Sequence, residues 1–208
     1  MNDQSVDSQK ISRRGAWIWA VILGIVFVFV SVVAAYTGIL SGGKNNIVMS
    51  LSIMSNSFMQ GHDIPERHTC AGQNTSPPLE WVGVPSGSKS LVLIVDDPDA
   101  PDPAAPQMTW VHWLLYNIPV SSLGLPEGIT SSKLPVGTLQ GINDWHRTGY
   151  GGPCPPTGRH RYFFKLYALD SVLPDLKNPT RKILEKAMQG HVLDQSSMLG
   201  YYQRQAGR

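Results

Sequence analysis

The chain has 208 residues, 42% of them hydrophobic and 15% charged, with a formal net charge of +2; these values suit one folded domain with an appendage and exclude a multi-span membrane protein. Residues 49–208 hold 13 basic and 13 acidic side chains, so the whole excess of charge lies in the first 48 residues. A neutral domain lacks the basic stripe on which non-specific nucleic-acid affinity depends, and nucleic acid is excluded as a partner.

The first element in chain order is apolar. No charged residue stands between Arg14 and Lys44, and Ala16 to Leu40 is dense in Val, Ile, Phe and Trp. About 20 such residues cross a bilayer as a helix, which predicts a transmembrane anchor over 16–40 behind a cytoplasmic tail, 1–15. Lys10, Arg13 and Arg14 precede the run and only Lys44 follows closely. That asymmetry predicts a membrane-anchored chain with its C-terminal domain outside the cytoplasm, periplasmic or extracellular. A cleaved signal with a secreted domain is the competing expectation, because Val33-Ala34-Ala35 offers a small-residue cleavage site. The run exceeds the 7–15 apolar residues usual for a signal core, which favours the anchor. Residues 41–48 read as a flexible linker to a domain over 49–208.

From Met49 onward, short apolar runs alternate with Gly and Pro clusters, a pattern of strands and turns. Leu91 to Val95, Trp110 to Ile118 and Tyr162 to Leu169 are predicted as central strands. Helical signals come late. Asn178 can cap, Pro179 suits a first turn, Ile183, Leu184, Ala187 and Met188 form one apolar face, and Gly190 can terminate. A second short helix is expected around Asp194 to Arg204. Strands first and helices last indicate an all-β sandwich with short C-terminal helices. Cys70 and Cys154 both fall in the part expected to be exported, where a disulfide persists if the two meet; the sequence leaves their pairing open.

Strand parity brings three ionisable groups together, since alternate side chains share a face. Asp97 lies on the face of Leu91, Leu93 and Val95; Trp110 and His112 are expected to share a face with Leu114; His160 shares one with Tyr162 and Phe164. Each residue also has an ordinary reading: Asp97 as a turn residue before Pro98, His112 as a satisfied core histidine, His160 as a surface residue between Arg159 and Arg161. The loops add weight to a site. Asp97-Pro98-Asp99-Ala100-Pro101 and Gly151-Gly152-Pro153-Cys154-Pro155-Pro156-Thr157-Gly158 combine rigid prolines with glycines that let a ligand approach the backbone.

These two loops, with Trp110-Val111-His112-Trp113 and the continuation Arg159-His160-Arg161-Tyr162, resemble the signature regions of the phosphatidylethanolamine-binding family, and most of all its bacterial Raf kinase inhibitor-like branch. His68-Thr69-Cys70-Ala71-Gly72, Asn74-Thr75-Ser76-Pro77-Pro78-Leu79, Gly190-His191 and Gly200-Tyr201-Tyr202 extend the likeness over nearly all of residues 52–204. The resemblance implies an antiparallel, Greek-key-like β-sandwich with a small cavity for phosphate-like and carboxylate anions. The implied ligand-binding residues are Asp97, Ala100, Pro101, Trp110, His112, Gly152, Pro153, His160 and Tyr162. Asn74-Thr75-Ser76 also forms a glycosylation sequon, but Asn74 is read as structural.

A carboxylate repels a bound anion, whereas a histidine beside a carboxylate gains a proton more readily, so Asp97 is read as the group that orients and charges a histidine. Backbone N–H groups of the Gly151-Gly152 turn are expected to add donors. The implied function is non-enzymatic, cofactor-free binding of phosphate-like anions or phospholipid head groups, with regulation of an unidentified partner protein. Two alternatives stand beside it: an inhibitor of a protease or kinase acting through a loop such as Asp102 to Gln107, and a metal-dependent hydrolase using the two histidines and Asp97. The sequence holds no His-Glu-x-x-His or Gly-x-Ser-x-Gly pattern.

Overall fold

The computed structural model describes residues 49–205; the expected tail, the anchor at 16–40 and the linker at 41–48 lie outside the described residues. Among the described residues no helix is long and apolar enough to cross a membrane. Among the described residues the strands are β1 (Ser52–Met54), β2 (His62–Asp63), β3 (Leu79–Val82), β4 (Ser90–Ala100), β5 (Met108–Ile118), β6 (Gly124–Leu125), β7 (Leu139–Gln140), β8 (Arg159–Leu169) and β9 (Val192–Gln203), with an α-helix, α1 (Arg181–Met188), between the last two.

Two sheets form. The small one has the order β1-β3-β6 and the large one β2-β9-β8-β4-β5-β7. Within the large sheet the run β8-β4-β5-β7 is a Greek-key order, reached after the chain detours through β6 in the other layer. One departure from an all-antiparallel arrangement is that β2 pairs with β9 in parallel.

β4 is buried on both faces, which is why its sequence reads as an unbroken apolar run rather than an alternation. Leu91, Leu93 and Val95 face the small sheet and pack with Trp81, Trp113, Phe164 and Leu166 in the sandwich core. Val92 and Ile94 face the other way, into a second core closed by Leu173 and by Leu184 and Met188 of α1. Each fully buried aliphatic of this kind stabilises the fold by about 1.5–3 kcal/mol relative to exposure. The helix is also tied to the sheet by charge: Arg181 reaches the fully buried Asp96 of β4 at 2.7 Å, and Lys165 of β8 meets the same oxygen at 2.7 Å.

Two helical expectations change. The helix begins at Arg181 with Thr180, not Asn178, at its N-cap position, and Ile183 is half exposed, so the buried stripe is Leu184 and Met188. The helix expected at Asp194 to Arg204 is the strand β9, paired with β8 along its length from Val192 to Gln203. Tertiary pairing overrides local propensity there. The outer edge of β8 needs a partner, and alternating burial places Met198 and Gly200 inward. β9 also joins the layers, since Asp194 Oδ2 accepts from Leu51 N at 2.9 Å and Ser196 Oγ from Ile53 N at 3.2 Å.

Candidate functional site

The site grows from a β-bulge. β4 pairs Val95 with Trp113 and then Asp96 with Val111, which leaves His112 as the extra residue on β5. The far edge of β5 holds the bulge in place: Asp144 Oδ2 accepts from Val111 N at 2.7 Å, Asp144 N donates to Val111 O at 3.1 Å, and Gly151 N donates to His112 O at 3.0 Å. The bulge reverses the expected parity. Val111 and Leu114 pack in the second core and Trp113 in the sandwich core, while the His112 ring lies 5.2 Å from Tyr162, a member of that sandwich core. Trp110 and His112 therefore do not share a face with Leu114, and it is the bulge that turns His112 toward Asp97 and His160.

His112 Nδ1 lies 2.6 Å from Gly151 O, a carbonyl that can only accept, so Nδ1 carries the proton. Nε2 then holds a lone pair, and it makes no hydrogen bond among the described residues. Trp145 and Tyr162 close on the ring edge-to-face at 5.1 and 5.2 Å. Burial pushes the imidazole down from 6.5 to about 4, opposed by the bond to Gly151 and reinforced by the charge of His160.

Asp97 and His160 form the second half of the site. Asp97 Oδ2 and His160 Nδ1 are 2.7 Å apart, with side chains 5% and 0% exposed. Asp97 Oδ1 accepts from Asp99 N at 2.8 Å, and His160 Nε2 meets Thr157 O at 2.9 Å. Burial raises the Asp97 carboxyl above its ordinary range, with the His160 bond opposing it. The orienting role expected of Asp97 thus falls on His160, not His112. Next to it, Arg161 grips Asp99 through its backbone N at 2.9 Å and its guanidinium at 2.6 Å, which holds the Asp99 carboxyl below the usual range and locks the end of β4 to β8.

These groups border a cavity of about 240 Å³ lined by Asp97, Ala100, Pro101, Trp110, His112, Trp145, Cys154, Pro155, Pro156 and His160. Six of the nine implied ligand-binding residues line it. Tyr162 is buried beneath, stacked on His160 at 6.3 Å, and its hydroxyl has no hydrogen-bond partner among the described residues. Gly152 and Pro153 sit one layer back. A Cβ on Gly152 would run into the His68 carbonyl, and Pro153 O accepts from Cys70 N at 3.0 Å. The turn's N–H groups are not free donors, because Gly151 N is spent on His112 O and Gly152 N on Asn74 Oδ1 at 2.7 Å. That bond and a left-handed backbone (φ 56°) give Asn74 the structural role read for it. Cys70 and Cys154 are bridged, with Cα atoms 5.4 Å apart.

Sequence reasoning missed Trp145 and the lining by Cys154, Pro155 and Pro156. Trp145 is presented by a turn knitted by Asn143, whose Oδ1 accepts from Trp145 N at 3.0 Å and whose Nδ2 donates to Gly149 O at 3.0 Å. A buried Asn ahead of Asp-Trp is the only local signal of it. Among the described residues no group of three or more His, Cys, Asp and Glu side chains has metal-binding geometry. A larger cleft of about 620 Å³ lies beyond Arg159, near Asp63 and Tyr202. The guanidinium of Arg159 is already matched there by Asp63 at 2.7 Å and stacked 3.9 Å over Tyr201.

The depressed His112 predicts acid sensitivity. Its folded value lies below the unfolded one, so above about pH 6.5 it contributes nothing, and stability is lost as pH falls from there toward about 4. The loss is on the order of 3 kcal/mol. Burial depresses His68 as well and adds in the same sense. Asp97, raised, acts oppositely and gains stability as pH falls. Urea denaturation of wild type and His112→Leu isolates the histidine: the difference in unfolding free energy should shift by roughly 3 kcal/mol between pH 7 and 4, and a constant difference refutes the assignment.

The family model for phosphatidylethanolamine-binding protein matches residues 54–203. A UPF0098 protein of Methanothermobacter thermautotrophicus is 47% identical over 155 residues, which is 74% of this chain and 99% of that protein. The crystal structure of a PEBP homolog from Chlamydia trachomatis superposes with a TM-score of 0.69 at 38% identity, covering 75% of this chain and 99% of its own. E. coli YbcL does so with a TM-score of 0.68 at 32% identity, covering 76% and 100%. With a matching family model, relatives aligned along almost their whole length and a shared fold, the chain belongs to the phosphatidylethanolamine-binding protein family.

Proposed function

We propose that the domain captures small oxyanions, free or as the phosphorylated head group of a lipid, in the 240 Å³ cavity and carries out no chemistry on them. The observation that carries this reading is the buried Asp97–His160 pair set beside His112 in a preformed, proline- and tryptophan-walled cavity. Pre-formed apolar walls with a few converging polar groups are the usual makeup of a small-ligand site. At about 240 Å³ the cavity is smaller than drug-sized sites and suits a head group rather than acyl chains. The family's name points to the same ligand class. The uncharged run from 15 to 43 and the Cys70–Cys154 bridge support action at a membrane outside the cytoplasm, where disulfides persist.

Calorimetric titration with inorganic phosphate and with phosphoethanolamine tests the reading. Wild type should bind, and Trp145→Ala and His112→Ala should each weaken binding at least tenfold. Equal binding by wild type and both variants, or no binding by wild type, overturns it.

A further inference from the structure

The loop between β1 and β2 carries a second set of interlocked polar side chains, none of which lines the cavity. Ser55 Oγ donates to Pro78 O at 2.6 Å and accepts from Ser57 N at 3.1 Å, and Asn56 Nδ2 donates to Glu80 Oε1 at 2.6 Å. Phe58 is buried in the sandwich core against Phe164. Ser57 is thereby fixed from both sides while it stays half-buried at the surface. Opposite it stands a short 3-10 turn, Glu66–His68, whose last residue is fully buried. His68 N donates to Pro65 O at 2.9 Å and the Tyr150 hydroxyl donates to His68 O at 2.9 Å, so the imidazole hangs from a fixed backbone.

Hydrogen counting sets the direction of each bond. His68 Nδ1 lies 2.9 Å from Thr75 O, which can only accept, so Nδ1 carries the ring proton and Nε2 a lone pair. Burial holds this imidazole below its ordinary value, against the Thr75 bond, with Arg67 lowering it further and Glu127 opposing; it is neutral at pH 7. Ser57 Oγ is 2.6 Å from the Nε2 lone pair, and Arg67 Nη2 donates to the same oxygen at 2.7 Å. The hydroxyl hydrogen therefore goes to His68. A hydroxyl on a histidine base, with the base oriented by a third group, is the arrangement of an activated nucleophile. A positive guanidinium on the hydroxyl oxygen also favours loss of its proton. Glu127 aims that guanidinium, its Oε1 lying 3.2 Å from Arg67 Nε. Of the five guanidinium N–H groups these two contacts use two, and the rest can face the oxygen of an attacked carbonyl.

The same anchors border an apolar groove of about 480 Å³ on the small sheet. Met54, Pro78 and Glu80 line it beside the Ser57 loop, with Leu123 and Leu125 as further walls. Pro126, also in its lining, directly precedes the Glu127 that holds Arg67. An apolar acyl chain fits a groove of that makeup with a nucleophile at its margin.

We infer that Ser57 is the nucleophile of a second site that takes carboxylic esters with an apolar acyl group, His68 serving as its base and Arg67 holding the charge on the carbonyl oxygen. Ser57 Oγ bonds to the carbonyl carbon as its proton passes to His68 Nε2. The bond from that carbon to the alcohol oxygen breaks, and the alcohol leaves with the proton. Water then attacks the acyl-serine by the same route, giving the carboxylic acid and free Ser57. This site is independent of the oxyanion reading of the cavity.

The experiment treats the full chain with p-nitrophenyl butyrate, following release of p-nitrophenol by absorbance. A parallel sample receives an alkyl fluorophosphonate, which a reactive serine captures with loss of fluoride, and the adduct is located by peptide mass spectrometry. Wild type should release p-nitrophenol faster than buffer alone and carry the phosphonyl group on Ser57. Ser57→Ala should fall to the buffer rate and take no label. Arg67→Gln should turn over about a hundredfold more slowly, the loss typical of a missing oxyanion donor. The label on wild type decides the matter without any variant: ester release at the buffer rate with Ser57 unlabelled overturns the proposal. So does a Ser57→Ala variant as fast as wild type.

Discussion

Asp97→Ala is expected to lower the free energy of unfolding by about 3–5 kcal/mol and to abolish oxyanion binding, the range found when one partner of a buried charge pair is removed. The substitution leaves His160 Nδ1 without an acceptor at a fully buried position and strips Asp99 N of its bond. It also loosens the end of β4 next to Asp99, which Arg161 of β8 holds. Asp97→Asn retains an amide oxygen for one of the two donors and should recover part of the loss. Urea denaturation gives the magnitude, and a change below about 1 kcal/mol would show that the pair is not structural. The double variant Asp97→Ala/His160→Leu should be less destabilised than the sum of the singles, because it removes both halves of one interaction.

Opening the Cys70–Cys154 bridge is the second large effect. The bridge closes a loop with a sequence separation of 84, and the chain-entropy account gives roughly 4.5 kcal/mol for a loop of that size. Cys154 lines the cavity, and its neighbour Pro153 accepts from Cys70 N, so the bridge and one backbone bond together hold the proline wall against the loop at 66–72. The double variant Cys70→Ser/Cys154→Ser should unfold at lower urea by 2–5 kcal/mol and bind phosphoethanolamine more weakly. A variant as stable and as tight-binding as wild type would confine the bridge to a decorative role. The full chain taken from cells under thiol-trapping conditions should show no free thiol; two trapped thiols would argue against a domain exposed to an oxidising compartment.

How much could be seen in advance depended on whether the signal was local. The Leu91–Val95 run announced a central strand because burial on both faces suppresses alternation. Asp97 and His160 followed from parity on strands that run regularly between core and site. His112 came into the site against parity, because bulges are set by what the neighbouring edge offers, here Asp144 and Gly151. The helix expected around Asp194 to Arg204 gives way to a strand because Ser, Gln and Leu are locally indifferent and the deciding partner, β8, lies across a helix and a turn. Trp145 was invisible for the same reason: a turn stitched by one buried Asn carries it to the cavity from outside any strand. Gly152 and Pro153, which the resemblance implies as ligand-binding residues, sit behind the cavity lining, where a Cβ on Gly152 would meet the His68 carbonyl and Pro153 O accepts from Cys70 N.

The segment after β7 has one more consequence. β7 pairs with β5 only at Leu115 and Tyr116, yet the chain continues along the same margin, with Gly141 N bonded to Leu114 O, Asp144 to both backbone groups of Val111, and Gly151 N to His112 O. A strand margin with unmatched amides and carbonyls is where a second molecule can add itself and where fibrils begin. The wall of the cavity therefore also covers this strand margin. Any change that swings this segment outward also bares a sticky border, so opening the cavity wall is expected to lower solubility.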